Sequence, residues 1–385
     1  MNKVSVIGSG AMGTGIAQIA ATHGHEVTLY DNNEDALNRA GSRLEKIMNR
    51  LVEKGRLTEE DATAILSRIE LTSELGRVED SDMVVEAIIE NLDIKKQVFR
   101  KIENLVSEEC ILATNTSSLS IASIASACEH RGRVVGLHFF NPAPLMPLVE
   151  IIPAITTDAK WVDTLRQLML DWGKAPAVAK DTPGFIVNRV ARPFYSEAIR
   201  IYEEGMAEPE TIDQAMKDLG FRMGPFELMD FIGHDVNYTV TETVFKEFYF
   251  DPRYKPSFSQ KRLVEAGLLG RKSGRGFYDY DEGAEKPTPD TDPKLAKKIT
   301  SRILAMLINE AVDALYLRVA SKEDLDIAMT KGVNYPKGLL KWADELGLDH
   351  VLNQLEDLQE EYGEDRYRPS VLLKRMSNDN VKFYS

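Results

Sequence analysis

The chain has 385 residues, of which 43% are hydrophobic and 28% charged, a composition typical of a globular protein with two or three domains. Its formal net charge of −14 disfavours nucleic acid or an anionic membrane as the main partner. If the ligand is an anion, basic residues must be gathered locally to receive it.

The two cysteines, Cys110 and Cys128, are too few for a disulfide framework, so we expect two buried free thiols in a reducing compartment. No histidine or cysteine cluster has the spacing of a metal site. No apolar run reaches the roughly 18 residues that span a bilayer. The strand predicted from Lys3 leaves no room for a signal peptide, which favours a cytoplasmic protein.

The first 31 residues predict a dinucleotide-binding site. A β-branched run at 4–7 leads into a glycine-rich turn, a helix at 14–23 and a second strand that ends at Asp31. The turn lets a pyrophosphate approach the positive end of the helix, and an acid at this spacing suits the ribose 2′-hydroxyl. Asn32 and Asn33 follow instead of an arginine, which favours NAD over NADP. The residues of the turn are Gly8, Gly10, Ala11, Met12 and Gly13.

A pair of helices is predicted at 34–54 and 58–69, where a nucleotide-binding sheet does not need one. Arg50, Lys54 and Arg56 lie near the tip of this arm. In so acidic a chain they form a candidate anion site, although a solvated basic surface explains these residues equally well.

Strands and helices then alternate to about residue 150, which predicts a doubly wound parallel sheet with helices on both faces. Ser117 and His138 each follow a strand, and ligands bind such sheets beyond the carboxyl ends of the strands. Ser117 could also cap the helix that follows it. The strands are predicted at 83–88, 110–114 and 133–137, and the helices at 93–106 and 121–129.

A return strand at 148–152 carries Glu150, twelve residues after His138. An imidazole with a carboxylate behind it is a general base with an orienting partner. A lone histidine is more often a core group bonded to a backbone carbonyl. The neighbouring dinucleotide pattern favours the catalytic interpretation of this pair.

The second half of the chain is predicted to be helical, and its last block repeats the block before it at an offset of 113 residues. Glu197 matches Glu310, but Ser301 stands in the place of Asn188, an asparagine that needs a partner in a helix interior. We expect the second copy to dock on the first about a pseudo-twofold axis and to support it. The helices are predicted at 158–172, 184–204, 209–219, 225–248, 258–266, 294–319, 322–331, 338–347 and 349–361.

Several motifs in this order resemble the 3-hydroxyacyl-CoA dehydrogenase family over essentially the whole chain. The resemblance implies a Rossmann-type NAD-binding domain at 1–182 with its arm at about 34–70, a helical domain at 183–281, and a linker with a degenerate second copy at 282–385. The motifs are the glycine turn with Asp31, Glu90-Asn91-Leu92 with Lys95, Asn115 to Ser118, His138 to Pro142 with Glu150, Pro183 to Phe185 with Asn188-Arg189, Met223 to Phe226, and Gly270 to Gly274 with Gly276-Phe277-Tyr278.

The resemblance also implies roles for individual residues. His138 and Glu150 are the catalytic pair, Ser117 and Asn188 hold the substrate, and Lys54 contacts coenzyme A. Ile47 stands where some relatives have a serine that contacts this coenzyme, which weakens the match of the arm. The implied NAD contacts beyond the glycine turn are Asp31, Glu90, Lys95, Ser117, Asn141 and Lys272.

The activity implied is the NAD-dependent oxidation of (S)-3-hydroxyacyl-CoA to 3-oxoacyl-CoA, or its reverse, on short chains such as 3-hydroxybutyryl-CoA, in fatty acid metabolism and β-oxidation. One alternative is an NAD-dependent dehydrogenase of another small hydroxy acid or sugar acid. The other is an NAD-binding protein without turnover. The repeat predicts a monomer that contains its own pseudo-dimer, and a homodimer is the alternative.

Overall fold

A computed structural model describes residues 1–285 and 287–384, which divide into two units, Met1–Thr182 and Pro183–Ser385. The first unit contains a sheet of eight strands, and the second is built from helices. Among the described residues, no helix combines the length and the apolar character needed to cross a membrane.

The sheet of the first unit has the strand order β3-β2-β1-β4-β5-β6-β7-β8, and neighbouring strands are parallel except β6 and β7. The predicted doubly wound parallel sheet is confirmed. The strands are β1 (Lys3–Ile7), β2 (Glu26–Tyr30), β3 (Ile69–Thr72), β4 (Met83–Glu86), β5 (Ile111–Thr114), β6 (Val134–Phe139), β7 (Leu148–Pro153) and β8 (Ala175–Val178). The helices are α1 (Ala11–Thr22), α2 (Glu34–Glu53), α3 (Glu59–Ser67), α4 (Leu92–Glu103), α5 (Ile121–Ala125) and α6 (Ala159–Asp171).

The two edge strands, β3 and β8, were not predicted from the sequence. Each has four residues, and β3 is only partly buried, so its side chains lack the apolar pattern that identifies a buried strand. β8 carries Pro176, which lowers strand propensity but is tolerated at a sheet edge. These two strands form because a neighbouring strand is already in place to pair with them.

The register of the sheet brings the carboxyl ends of the parallel strands to one level. Ile7 of β1 pairs with both Tyr30 and Glu86, and Glu86 pairs with Thr114. Thr114 in turn pairs with Gly136 of β6. The segments that leave these strands therefore share one edge of the sheet.

The arm is an antiparallel pair formed by α2 and α3. Asn33 caps α2 by accepting hydrogen bonds from two backbone N–H groups. Thr58 and Asp61 form a reciprocal capping box at the start of α3. The buried residues of α2 recur at helical spacing, which turns one face of the helix inward. They are Leu37, Ala40, Leu44 and Met48.

The two cysteines are free and buried, as the sequence predicts. Burial raises the pKa of each thiol to about 12, so both remain protonated near neutral pH.

The second unit begins with a helix that the sequence predicted to run unbroken over 184–204. The structure interrupts it at Ala191, because Pro193 lacks the backbone N–H that would continue the hydrogen-bond ladder. The helix predicted at 225–248 is likewise interrupted at Gly233, whose φ of 98° is outside the helical region. The helices are α7 (Val187–Val190), α8 (Arg192–Glu203), α9 (Pro209–Asp218), α10 (Pro225–Ile232), α11 (His234–Glu247), α12 (Phe258–Glu265), α13 (Pro293–Tyr316), α14 (Lys322–Gly332), α15 (Leu339–Leu346), α16 (Leu348–Tyr362) and α17 (Val371–Asn378).

Reciprocal ion pairs join the two copies of the repeat. Arg189 of the first copy binds Glu310 of the second, with Nε and Oε1 2.6 Å apart. Its counterpart Arg302 binds Glu197 of the first copy at the same distance. All four side chains are almost fully buried. Because each contact is repeated with the copies exchanged, the copies are related by a pseudo-twofold axis.

Two tyrosines complete this cluster with the same symmetry. Tyr254 donates its hydroxyl to Glu310 at 2.6 Å, and its counterpart Tyr367 donates to Glu197 at 2.7 Å. Burial disfavours the ionised form of Glu310, but Arg189 and Arg253 outweigh burial and hold the pKa of Glu310 below its ordinary value. The joint between the copies is therefore a buried, charged network in which each carboxylate is paired with arginine and tyrosine donors.

Substituting Glu310 with alanine should lower the free energy of unfolding of the second unit by about 3–5 kcal/mol, because it removes the fully buried carboxylate that Arg189 and Arg253 share and leaves them only the partly exposed Asp313. The matched control is Glu356→Ala, which breaks an exposed pair with Lys374 and should cost about 1 kcal/mol or less. Urea denaturation of both variants measures the difference. Equal losses in the two variants would contradict a structural role for the buried network.

Candidate active site

His138 and Glu150 face each other across two antiparallel strands. They are direct partners in the register of β6 and β7, which puts their side chains on the same face of the sheet. The distance from His138 Nδ1 to Glu150 Oε2 is 2.7 Å, and both side chains are buried. The sequence predicted that His138 follows the end of its strand. In the structure His138 is the last residue but one of β6 and is still paired with β7. The carboxylate therefore fixes the orientation of the ring.

The segment 116–118 follows β5 and is held by one carboxylate. Glu90 Oε1 accepts hydrogen bonds from the Thr116 hydroxyl and from the backbone N–H groups of Ser117 and Ser118, at 2.5, 3.0 and 3.2 Å. Burial opposes the ionisation of Glu90, but Lys95 and these donors outweigh it, so the pKa of Glu90 lies below its ordinary value. The position of Ser117 thus depends on Glu90. The cap of α5 is Ser120 and not Ser117, so the alternative role for Ser117 is wrong.

Lys95 lies between two carboxylates. Its Nζ is 2.6 Å from Glu86 and 3.2 Å from Glu90, and its side chain is 1% exposed. Glu86 also accepts the Thr114 hydroxyl at 2.7 Å. Lys95 therefore orders Glu90, and through it the segment that carries Ser117. A direct contact between Lys95 and NAD stays a prediction.

Segments 115–118 and 138–141 are tied together at the edge of the sheet. The side-chain oxygen of Asn115 accepts a hydrogen bond of 2.8 Å from the backbone N–H of Phe139. Since β5 and β6 are adjacent parallel strands, this bond brings the segment of Ser117 beside the end of the strand that carries His138. The segments that carry two of the predicted catalytic residues, Ser117 and His138, are therefore adjacent at this edge of the sheet.

Two glycines of the turn between β1 and α1, Gly13 and Gly10, differ in whether internal packing requires them. A Cβ on Gly13 would lie 1.8 Å from the carbonyl oxygen of Gly8, so only glycine fits where the helix crosses the strand. A Cβ on Gly10 would meet no protein atom within 4 Å. Internal packing therefore does not explain Gly10. No side chain caps α1, so its first backbone N–H groups point outward, as a phosphate site requires.

Asp31 is held beside this turn. Its Oδ2 accepts hydrogen bonds from the backbone N–H and the hydroxyl of Ser9, at 2.8 and 2.9 Å, and its Oδ1 accepts from the N–H of Asn33. The carboxylate is thus oriented at the end of β2, next to the exposed first residues of α1. These features fit the predicted dinucleotide site, and the contact of Asp31 with the ribose 2′-hydroxyl stays a prediction.

A cavity of about 550 Å3 lies between α1, the arm and the segment that follows β6. Four basic side chains contribute to its lining: Arg43, Arg50, Lys54 and Arg56. Asn141 lines it as well. Ile47 contributes an apolar wall. The cavity therefore joins a basic rim to the segment that directly follows His138.

Sequence reasoning missed three residues of this cavity region. Arg43 occurs one turn before Ile47 in the series 43, 47, 50, 54, so helical periodicity could have identified it. Gln18 of α1 lines the cavity with a buried side-chain oxygen that has no partner among the described residues. Lys174 donates to the carbonyl oxygens of Ala143 and Met146 at 2.6 and 2.9 Å, and no sequence signal linked it to this segment.

Lys174 stabilises the wall of the cavity without a carboxylate partner among the described residues. Burial lowers the pKa of its amine to about 8. A folded-state pKa below that of the unfolded chain means that protonated Lys174 opposes folding, so this contribution to stability improves as the pH rises above about 8.

Asn188 and Lys272 belong to the second unit. Asn188 lies in α7, directly before Arg189. Lys272 lies in a short turn after Gly270 and is paired with Asp235. The role of each at the substrate or NAD stays a prediction. Within residues 1–285 and 287–384, no group of three or more histidine, cysteine, aspartate or glutamate side chains could hold a metal ion.

Comparison with protein families matches residues 3–182 to the 3-hydroxyacyl-CoA dehydrogenase NAD-binding domain. Residues 184–280 and, separately, 299–382 match the C-terminal domain of the same family. The chain belongs to the 3-hydroxyacyl-CoA dehydrogenase family. It is therefore an NAD-dependent oxidoreductase of this class, and the resemblance inferred from the motifs is confirmed.

Relatives of two lengths match the chain. The 3-hydroxyadipyl-CoA dehydrogenase of Escherichia coli is 40% identical, over 97% of each chain. The probable 3-hydroxybutyryl-CoA dehydrogenase of Deinococcus radiodurans is 43% identical over its full length, which covers 72% of this chain. A crystal structure of 3-hydroxybutyryl-CoA dehydrogenase from Escherichia coli has a TM-score of 0.92 and is 39% identical, over 98% of each chain. Members of the family therefore occur with and without the additional length.

Gly10 and Gly13 should respond differently to substitution with alanine. Gly13→Ala forces a methyl group into the Gly8 carbonyl and should lower the stability of the first unit. Gly10→Ala should fold normally but bind NAD about tenfold or more weakly, because the methyl group occupies the approach of the pyrophosphate. Thermal unfolding and NAD titration separate the two effects. A Gly10→Ala variant with unchanged NAD affinity would show that the pyrophosphate does not approach there.

Proposed function

We propose that His138 is the general base that removes the hydroxyl proton from C3 of a 3-hydroxyacyl-CoA. Glu150 engages Nδ1, which assigns the proton transfer to Nε2. As the O–H bond breaks, the C3–H bond gives up its hydride and the C3–O double bond forms. Glu150 stabilises the imidazolium that results, as a carboxylate does behind other catalytic histidines. The contact between these two buried side chains is the observation that carries this proposal.

Ser117 and Asn188 complete the proposed site as neutral donors to the 3-oxygen. Their hydroxyl and amide groups can orient the alcohol and stabilise the developing carbonyl without the desolvation cost of a charge. Ser117 suits this role because Glu90 fixes its backbone. Asn188 suits this role because the fold does not require an asparagine there. The second copy keeps the surrounding helices with Ser301 in its place, and the Ser301 hydroxyl donates to the Lys298 carbonyl of its own helix.

NAD, when bound, accepts the hydride. The proposed contacts in the first unit are the glycine turn, Asp31 for the ribose hydroxyl groups, and Glu90 with Asn141 on the side of the nicotinamide. Asp31 would repel a 2′-phosphate, and the adjoining Asn32 and Asn33 offer no cation to compensate, so we expect NAD and not NADP to be the cofactor. Lys272 is the proposed contact from the second unit.

Coenzyme A is proposed to bind in the cavity between the arm and α1. Its phosphates would meet Arg43, Arg50, Lys54 and Arg56, which concentrate positive charge in a chain whose net charge is −14. The cavity extends to Asn141, three residues after His138, so the thioester arm has a path towards the general base.

The acyl group is proposed to be short. Relatives of this chain are named for 3-hydroxybutyryl-CoA and for 3-hydroxyadipyl-CoA, which differ by a terminal carboxylate as well as by length. Both are substrates of the class proposed here. A hydroxy-acid or sugar-acid dehydrogenase would not need the basic cavity of the arm, and a protein that only binds NAD would not need the buried His138–Glu150 pair.

His138→Ala should lower turnover by about 10²- to 10⁴-fold while NAD binding is retained, because the general base is lost. Formation of NADH from a 3-hydroxyacyl-CoA, followed by absorbance, measures turnover. Glu150→Gln should lower the rate and move the acid limb of the pH profile to lower pH, because an amide stabilises the imidazolium less than a carboxylate does. Near-normal turnover of His138→Ala, or an unmoved acid limb in Glu150→Gln, would refute these roles.

Lys54→Glu should raise the KM for acyl-CoA by about tenfold and leave the KM for NAD nearly unchanged, because it reverses one charge at the rim of the cavity. The effect should shrink at high salt, since exposed charges are screened over about 10 Å. Lys46→Glu is the matched control, because Lys46 is exposed on the same helix but does not line the cavity. The same loss with a pantetheine thioester, which lacks the nucleotide, would contradict the assignment of the rim.

A further inference from the structure

Arg192 is an exception among the buried arginines of the second unit. Within the described residues, the other four each lie near a carboxylate: Arg189 and Arg253 near Glu310, and Arg302 and Arg366 near Glu197. Arg192 is 5% exposed and has no ion pair there. Its guanidinium donates to the hydroxyl of Thr241 at 3.2 Å, and its Nε has no partner. The Nε atoms of Arg253 and Arg366 also lack a partner among the described residues, so the missing carboxylate is what distinguishes Arg192. A buried cation without a counter-ion is costly unless it has a use.

A second buried polar group near Arg192 also lacks a partner. Tyr335, from the second copy of the repeat, is 5% exposed, and its hydroxyl has no hydrogen bond among the described residues. Arg192 and Tyr335 interact electrostatically, and Tyr195 stacks with the guanidinium, whose carbon lies 4.9 Å from the ring centre. The second unit therefore has two neighbouring hydrogen-bond donors without acceptors in the described part of the chain, the Nε of Arg192 and the hydroxyl of Tyr335. The two oxygens of a carboxylate could accept hydrogen bonds from both.

The duplication shows that the fold does not need these polar groups. At the offset of the repeat, Arg192 corresponds to Ala305 and Thr241 to Leu355, both buried apolar residues of the second copy. Tyr335 corresponds to Phe221, which has the same ring without the hydroxyl. The arginines that join the copies occur twice, whereas Arg192 occurs once, as Asn188 does. The helical fold of the second copy therefore forms without an arginine at this position.

The position of Arg192 relative to Asn188 suggests a purpose for this arginine. Ala191 between the two helices remains in the right-handed region, with φ −80° and ψ −9°, so Arg192 follows Asn188 by about one helical turn. Residues four apart on a helix lie on one face, about 6 Å along the axis. If Asn188 holds the 3-oxygen, a group three carbons further along the acyl chain, about 4–5 Å away, comes within reach of the guanidinium.

We propose that Arg192 and the hydroxyl of Tyr335 bind a carboxylate at the far end of the acyl chain. The substrate class is then a coenzyme A thioester of a 3-hydroxy dicarboxylic acid of about six carbons. This inference rests on the proposed function, because it takes Asn188 as the contact of the 3-oxygen. It also assigns a role to the second copy, which supplies Tyr335. A carboxylate satisfies both unfilled donors, whereas an alkyl chain would leave them buried without partners.

The test compares two substrates of equal length, 3-hydroxyadipyl-CoA and 3-hydroxyhexanoyl-CoA, with the full chain and NAD. The wild-type enzyme should have a kcat/KM about 10- to 100-fold higher for the diacid, and the difference should be mainly in KM. Arg192→Met should reduce this ratio by a similar factor, and Tyr335→Phe by about 3- to 10-fold. Arg222→Met, which removes an exposed arginine of the same unit, should leave the ratio unchanged and controls for net charge.

The outcomes separate a failure of this inference from a failure of the proposed function. A wild-type enzyme that oxidises 3-hydroxyhexanoyl-CoA as well as the diacid, or better, overturns the inference without any variant and leaves the proposed dehydrogenase function intact. A ratio that Arg192→Met and Arg222→Met alter equally also overturns it. If NAD is reduced with neither thioester, the proposed function itself has failed. A ratio that favours the diacid and falls in both Arg192→Met and Tyr335→Phe supports the inference.

Discussion

The in-register pairing of His138 with Glu150 is the constraint on which the edge of the sheet depends. A carboxylate that is fully buried needs a partner, and the reversal of strand direction between β6 and β7 provides one directly opposite. If β7 slipped by one residue, Glu150 would move to the other face of the sheet and His138 would lose its partner. The tie between Asn115 and Phe139 then aligns the segment of Ser117 with the same strand. The orientation of the His138 ring is thus a property of sheet register.

Most of the buried charged side chains among the described residues are paired with opposite charges, and these networks hold segments of the fold in place. Glu86 and Lys95 hold Glu90, and Glu90 holds the segment after β5. Glu197 and Glu310 each collect arginine and tyrosine donors and so join the two copies of the repeat. Breaking such a network leaves a charge in a medium that solvates it poorly, which makes these positions costly to change. Arg192 lacks such a network, and this contrast makes it a candidate for a ligand.

The duplication separates structural residues from functional ones within a single sequence. Asp213 and Asp326 each accept two backbone N–H groups from the start of the following helix, so both copies retain the same joint between helices. Asn188 and Arg192, in contrast, have Ser301 and Ala305 as counterparts. The packing requirements of a helical domain persist in both copies, whereas Asn188 and Arg192, which are proposed to bind the substrate, occur in one. A hydroxyl gained by the second copy, that of Tyr335, indicates that this copy has acquired a requirement of its own.

The sequence by itself determined the elements whose signals are local. The glycine turn with Asp31, the capping box of Thr58, the helical arm and the repeat all follow from spacing and residue type, and so does the parallel sheet. Only the tertiary structure decided how residues distant in the chain meet, because register and burial arise from packing against other elements. The short edge strands β3 and β8, the Glu86–Lys95–Glu90 network and the bonds from Lys174 to residues 143 and 146 have no local signature. Likewise, no spacing in the sequence shows that Arg192 is buried without a carboxylate partner among the described residues.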